Sequence, residues 1–201
     1  MLEQLQRASK TTLFHQNVSE AHVLELGGGT GLLSLIIGPR VKSYTCTDLP
    51  ELIPLINKNI FCNRDLVPGH EERLLVEALD WKDVQNCPEA SRQRLLSHIY
   101  RKCRQEAEEN TGFDLILTVD CIYNPSLIPP LLATMDHFAV PNRSVVMVVM
   151  ELRDEDVVRE FLTQWLARTG WEIRQVGNDN HPSLLDERFV VWIGRKMNVI
   201  T

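Results

Sequence analysis

An acidic residue and closely spaced glycines follow the first apolar run of the chain and are candidates for a ligand-binding turn. Residues 23–31 read Val-Leu-Glu-Leu-Gly-Gly-Gly-Thr-Gly, with Glu25 inside the run. Three glycines then recur at every second position: Gly27, Gly29 and Gly31. Glycine permits a sharp turn and a close backbone approach to a ligand because it has no Cβ. Asp48 ends the next apolar run, where a carboxylate can accept hydrogen bonds from ribose hydroxyls. The pattern predicts a cofactor of the adenosine type.

The glycine spacing differs from the dinucleotide-binding fingerprint, in which a third glycine follows the second by three residues. Leu32 occupies that position here. The E-x-G-x-G-x-G form resembles motif I of the seven-strand S-adenosylmethionine-dependent methyltransferases. This resemblance implies that Glu25 faces the methionine ammonium of S-adenosylmethionine and that Asp48, with Leu49 beside it, faces the ribose. The alternative is a tight strand–helix turn of another α/β protein.

A second candidate segment begins at Val119, at the end of a later apolar run. It reads Val-Asp-Cys-Ile-Tyr-Asn-Pro over residues 119–125. Asp120-x-x-Tyr123 resembles the D-x-x-Y motif of the family-16 methyltransferases, which act mostly on protein lysines, and in particular the fungal ribosomal-protein lysine methyltransferases. We predict that Asp120 orients an incoming ammonium and that Tyr123 directs the amine lone pair. The alternative is an aspartate that caps the next helix, with a packed tyrosine.

Asp80 and Trp81 follow a third apolar run. A carboxylate can accept a hydrogen bond from the exocyclic amine of adenine, and an aromatic ring can cover a face of the base. The methyltransferase resemblance implies this role for both residues, and we add Val119 to the predicted cofactor pocket. A helix cap followed by a packed tryptophan is the alternative.

The composition limits the partners that we expect. The 201 residues carry a formal net charge of −6, which disfavours a general nucleic-acid surface and suits a basic or lysine-bearing protein substrate.

The five cysteines form no C-x-x-C pair, which favours a reducing compartment, the cytoplasm or the nucleus. The apolar run 145–150 is too short for a membrane span, and the N-terminal residues do not resemble a signal peptide. We expect a monomer without a metal site.

Seven strand-like segments must position these residues, and helical stretches separate the first six. Their approximate bounds are 22–26, 42–47, 73–78, 113–119, 144–150, 171–177 and 188–194. The alternation predicts an α/β, Rossmann-like fold with a mainly parallel sheet. The last two segments lack a helical pattern between them, so we expect an antiparallel C-terminal hairpin. A helix beginning after Asp154 should bury Phe161 and Trp165.

One domain is predicted over residues 1–201. Its N-terminal segment, 1–21, lacks the tryptophan of the G-x-x-x-W element that family members usually carry, which leaves closure over the cofactor open. The stretch 83–112 is rich in Arg, Gln and Glu and reads as one exposed helix inserted before the fourth strand. This helix is either a solvated surface element or a substrate-docking element.

The sequence predicts an S-adenosylmethionine-dependent protein-lysine methyltransferase with a ribosomal or translation-related target. Methylation of another side chain or of a small molecule stays open, as does a cofactor-binding partner protein without catalysis. An NAD-dependent oxidoreductase is disfavoured by the glycine spacing and the C-terminal hairpin.

Overall fold

A computed structural model of the protein describes residues 17–66, 70–101, 112–176 and 188–198. These ranges contain seven strands: β1 (His22–Leu26), β2 (Ser43–Asp48), β3 (Leu74–Ala78), β4 (Leu115–Val119), β5 (Val145–Glu151), β6 (Trp171–Gln175) and β7 (Phe189–Lys196). They also contain seven α-helices: α1 (Leu32–Ile37), α2 (Ile53–Cys62), α3 (His70–Arg73), α4 (Trp81–Asn86), α5 (Glu89–Leu95), α6 (Ile128–Phe138) and α7 (Glu155–Leu166). Short 3₁₀ helices cover Val18–Glu20, Gly38–Arg40, Arg64–Leu66 and Pro125–Leu127.

The strands form a single sheet in the order β3-β2-β1-β4-β5-β7-β6. The first five strands pair in parallel, and β7 lies antiparallel between β5 and β6. The predicted Rossmann-like fold with an antiparallel C-terminal hairpin is therefore confirmed. The order reverses between β1 and β4, and a crevice outside the carboxyl ends of parallel strands is the usual ligand site at such a point.

Apolar side chains cover both faces of the sheet. In β5, Val146, Val148 and Met150 belong to one buried cluster, whereas Val145, Met147 and Val149 belong to the other. A strand that is apolar on both faces is typical of the centre of a parallel sheet. The two faces of the sheet are therefore both occupied by core packing.

Helix α7 begins as the sequence predicts. The Asp154 side chain accepts hydrogen bonds from the amides of Asp156 and Val157, which are otherwise unpaired at a helix start. Phe161 and Trp165 are fully buried, and their ring centroids lie 5.3 Å apart. No helix in the four described ranges is long and apolar enough to cross a membrane.

Over residues 83–101 the predicted insertion is not one exposed helix, so that part of the prediction is wrong. Pro88 stands at the break between α4 and α5. Beyond α5 the chain turns inward and buries Leu96, Ile99 and Tyr100. The Tyr100 ring lies 5.5 Å from that of Phe113, centroid to centroid. Packing against the core removes these apolar side chains from water, which stabilises this arrangement. A solvated helix would leave the same side chains exposed. Residues 102–111, and the N-terminal segment through residue 16, lie outside the described residues.

Candidate functional site

A cavity of about 650 Å³ opens at the carboxyl ends of β1, β2, β3 and β4. Ten of the eleven predicted site residues line it: Glu25, Gly27, Gly29, Asp48, Leu49, Asp80, Trp81, Val119, Asp120 and Tyr123. Gly31 is the exception. It begins α1 with φ 78°, and a Cβ there would lie 2.9 Å from the Ile56 side chain. Gly31 therefore permits close packing of the turn against α2 and does not contact the cavity.

The turn between β1 and α1 is held by β2. The amides of Gly27 and Gly28 both donate to the Thr47 carbonyl at 2.9 Å. The Asp48 carboxylate accepts the Gly29 amide on Oδ2 and the Leu49 amide on Oδ1, each at 2.7 Å. The carboxylate thus orders the turn, in addition to the predicted ribose contact, for which its oxygens retain lone pairs.

Gly27 has both a conformational and a steric reason to be glycine. Its φ is 79°, a region that L side chains rarely adopt, and a Cβ there would lie 2.6 Å from Cys121 Sγ. The Cys121 thiol donates to the Leu26 carbonyl at 3.2 Å and to the Val119 carbonyl at 3.3 Å. Burial raises the pKa of Cys121 to about 11, so the thiol stays protonated and remains a donor. Cys121 therefore joins the ends of β1 and β4 beneath the cavity.

Glu25 is a buried carboxylate at the base of the cavity. The residue is 2% exposed, and its Oε2 has no hydrogen-bond partner in the described part of the chain. Burial raises the pKa of Glu25 above its ordinary value. An unpaired buried acceptor that borders a cavity suits a cationic ligand group, so this residue fits the ammonium of S-adenosylmethionine.

Asp80 and Trp81 combine the two roles that the sequence left open. The Asp80 Oδ1 caps α4 by accepting the Lys82 amide at 2.8 Å. The Trp81 ring packs against the buried cluster on one face of the sheet. Both residues also line the cavity, and the Trp81 ring would lie 3.4 Å from a Cβ at Gly27. Cap formation and cavity lining are therefore compatible, and the adenine contact stays a prediction.

The D-x-x-Y segment turns sharply as it leaves β4. Asp120 has φ 55°, and its amide donates to the Val149 carbonyl of β5 at 2.8 Å. Aspartate adopts this left-handed conformation more readily than most residues, and the chain beyond it brings Cys121 and Tyr123 to the cavity lining. Tyr123 is 64% exposed and lies at the cavity mouth. Asp120 and Tyr123 thus border the same opening, where a substrate side chain can reach a ligand in the cavity.

The structure adds residues that the motifs did not identify. Eight more residues line the cavity: Gly28, Thr30, Leu32, Leu33, Leu52, Leu79, Cys121 and Leu127. Arg153, which is not one of the lining residues, donates from Nη2 to Asp120 Oδ2 at 2.8 Å. The sequence does contain a signal for this contact. Glu151 and Arg153 follow the apolar run 145–150 that forms most of β5, so they are expected at the carboxyl end of that strand.

Comparison with known proteins agrees with this geometry. The chain matches the family described as lysine methyltransferase over residues 1–166. It is 30% identical over 148 residues to the protein-lysine methyltransferase METTL21E of Bos taurus, covering 73% of this chain and 43% of that protein. It is 31% identical over 166 residues to ribosomal lysine N-methyltransferase 5 of Zygosaccharomyces rouxii, covering 70% and 49%. The chain thus spans less than half the length of these curated relatives.

A solved structure agrees at the level of the fold. The fibrillarin pre-rRNA processing protein of Methanococcus jannaschii superimposes with a TM-score of 0.61 at 12% identity, covering 98% of this chain and 75% of that one. At this identity the likeness concerns the fold alone. The family match extends over most of the chain and includes both the glycine turn and the D-x-x-Y segment. The chain therefore belongs to the lysine methyltransferase family.

Proposed function

We propose that the protein is an S-adenosylmethionine-dependent methyltransferase that modifies a lysine side chain of a protein substrate. The observation that carries the proposal is the position of Asp120 and Tyr123 at the mouth of the cavity that Glu25 and Asp48 border. Such an arrangement allows a cofactor held at β1 and β2 to meet an amine that enters beside β4. Family membership supports the same cofactor and the same acceptor.

In this proposal the chain binds and orients while the cofactor provides the reactive group. S-adenosylmethionine, when bound, supplies an electrophilic methyl group on a sulfonium. Glu25 and Asp48 would hold its ammonium and ribose, and Asp80 and Trp81 its adenine. The acceptor lysine must first release one proton to solvent. Its nitrogen lone pair then forms the N–C bond as the C–S bond breaks and the electron pair stays on sulfur.

Asp120 and Tyr123 would act on the acceptor. The Asp120 carboxylate attracts the lysine ammonium to the cavity mouth, and the Tyr123 hydroxyl accepts or donates one hydrogen bond that orients the amine. The apolar side chains of Leu32, Leu49 and Leu127 surround the opening and reduce hydration of the ammonium. Reduced hydration disfavours the charged form and so favours the proton loss that the reaction requires.

The substrate is proposed to be a basic protein of the translation machinery. One relative is named for a ribosomal lysine and another, from Mus musculus, is EEF1A lysine methyltransferase 3. The net charge of −6 supports attraction of a basic partner. We also propose that the protein acts as a monomer in the cytoplasm or nucleus, where the thiols of Cys46 and Cys62 would stay reduced.

Two measurements test the proposal. Calorimetric titration should show micromolar binding of S-adenosylmethionine, no binding of NAD, and loss of the first in Asp48→Ala. Transfer of a labelled methyl group to proteins of a cell extract, followed by mass mapping, should then place the label on lysine. Tyr123→Phe and Asp120→Ala should reduce turnover while cofactor affinity is retained. Label on another side chain or on a small molecule would contradict the lysine assignment, and cofactor binding without any transfer would contradict catalysis.

A further inference from the structure

Four charged side chains form a cluster beside the cavity mouth. Arg153 donates from Nη2 to Asp120 Oδ2 at 2.8 Å and from Nε to Glu151 Oε2 at 2.6 Å. Arg188, at the start of β7, lies 3.9 Å from Glu151 Oε1. The Arg188 carbonyl also accepts the Leu152 amide at 2.7 Å, which fixes the loop after β5 against β7. The cluster therefore connects the carboxyl ends of β4 and β5 to β7.

An entering amine meets the charge of the whole cluster and not that of Asp120 alone. Counted over these four side chains alone, the two negative charges of Asp120 and Glu151 are matched at pH 7 by the two positive charges of Arg153 and Arg188, and Arg188 has a further interaction outside this set. Asp120 lines the cavity, while Arg153 is not one of the lining residues and contacts Asp120 Oδ2 through Nη2. Within the described residues Asp120 Oδ1 accepts no hydrogen bond. One carboxylate oxygen is therefore held by Arg153, and the other remains for a substrate.

The charge balance matters because a lysine acceptor has two opposing requirements. A nearby carboxylate attracts the ammonium but also stabilises its charged form, which opposes loss of the proton. A guanidinium paired with that carboxylate reduces both effects. Among the described residues, the other ionisable groups that line this cavity are Tyr123 on the same segment, Cys121 beside it, and the carboxylates of Asp80, Asp48 and Glu25.

We propose that Arg153 is a positioning residue that fixes Asp120 and offsets its charge, so that a bound lysine can release its proton near neutral pH. This inference rests on the proposed lysine methylation. Arg153 has 56% of its side chain exposed and Asp120 40%, so both charges are accessible to an entering substrate. The role differs from a purely structural ion pair because it predicts opposite changes in substrate binding and in turnover.

The test measures the kinetics of three variants. The substrate is the protein that the mass mapping described above identifies. In Arg153→Ala we expect KM to fall roughly two- to fivefold, because the uncompensated Asp120 attracts the ammonium more strongly. We expect kcat at pH 7 to fall roughly tenfold and the rise of kcat with pH to move about one unit higher. Arg153→Lys should restore most of both values because it keeps the positive charge. Arg159→Ala is the matched control, since Arg159 is exposed and pairs only with Glu155 and Asp156 within the described residues.

A binding experiment tests the same charge effect without turnover. Butylammonium chloride serves as the probe for a lysine side chain, and its affinity is followed by NMR chemical-shift titration. We expect Arg153→Ala to bind the probe more tightly than wild type and Arg159→Ala to bind it equally. Equal affinity of wild type, Arg153→Ala and Arg159→Ala for the probe would overturn the inference. So would an active Arg153→Ala whose kcat depends on pH as in wild type. Tighter probe binding in a chain without methyl transfer would instead support the charge effect and reject the proposed function.

Discussion

Asp48 and Gly29 are joined by a hydrogen bond of 2.7 Å between a carboxylate oxygen of β2 and a backbone amide of the turn after β1. The second oxygen of the same carboxylate accepts the Leu49 amide at the same distance. Both oxygens therefore already face N–H donors. The side chain proposed to contact a ribose is therefore also the one that holds the shape of the glycine turn.

Asp48→Asn should weaken S-adenosylmethionine binding by roughly 10- to 100-fold. The asparagine amide must present its NH₂ group to one of the two backbone N–H donors, and a charge-assisted hydrogen bond contributes about 1.5–3 kcal/mol. Isothermal titration calorimetry measures the affinity. Asp156→Asn, at an exposed position of α7, is the control and should leave the affinity unchanged. An affinity within twofold of wild type in Asp48→Asn would contradict this role.

Gly27→Ala should destabilise the fold more than Gly29→Ala. Both positions have positive φ, which disfavours alanine by about 1–2 kcal/mol. Only at Gly27 would the new Cβ also meet a side-chain atom, Cys121 Sγ, which adds about 1–3 kcal/mol; at Gly29 no atom lies within 4 Å of it. Urea denaturation measures the two free energies of unfolding. Adding Cys121→Ala should recover about 1 kcal/mol of the Gly27→Ala loss, whereas equal losses at the two glycines would exclude the steric explanation.

Glu25 should make the free energy of unfolding of the ligand-free protein fall as pH rises. Burial raises the pKa of Glu25 above about 4.5, its ordinary value, so the folded protein binds more protons than the unfolded chain above that pH. The buried carboxylate is then forced to ionise, and stability is lost as pH rises through its folded pKa. Glu25→Gln removes this dependence, so its stability relative to wild type should increase between pH 4 and pH 8.

Two observations check the assignment for Glu25. Denaturant titrations of ligand-free protein at several pH values give the stability difference, with the exposed Glu155→Gln as control. Glu25→Gln should also bind S-adenosylmethionine more weakly because the ammonium loses its anionic partner. A stability difference that does not vary with pH would show that Glu25 does not titrate in this range.

Ile99→Ala should lower the free energy of unfolding by about 2–5 kcal/mol, the range for truncating a buried aliphatic side chain. Ile99 is fully buried, although it lies in the stretch whose composition predicts an exposed helix. Leu95→Ala is the matched control, because Leu95 is 44% exposed and its truncation should change stability by less than about 1 kcal/mol. Guanidinium denaturation followed by tryptophan fluorescence measures both. Equal small losses would mean that this segment does not belong to the core.

The sequence alone determined the seven strands, helix α7 and ten of the eighteen residues that line the cavity. Local spacing is enough for this, because apolar runs mark strands and the glycines and acids stand directly after them. Asp154 and the helical spacing of Phe161 and Trp165 likewise predicted α7 and its buried face. Each of these features depends on neighbours within a few residues.

Only the tertiary structure decided which distant residues meet. Arg153 reaches Asp120 because β5 lies beside β4, which brings the loop after β5 next to the end of β4. Cys121 excludes a side chain at Gly27, 94 residues away, because β1 and β4 are adjacent. Tyr100 enters the core because Phe113 and Phe138 converge there. These contacts depend on strand order and three-dimensional packing, which no local spacing of residues specifies.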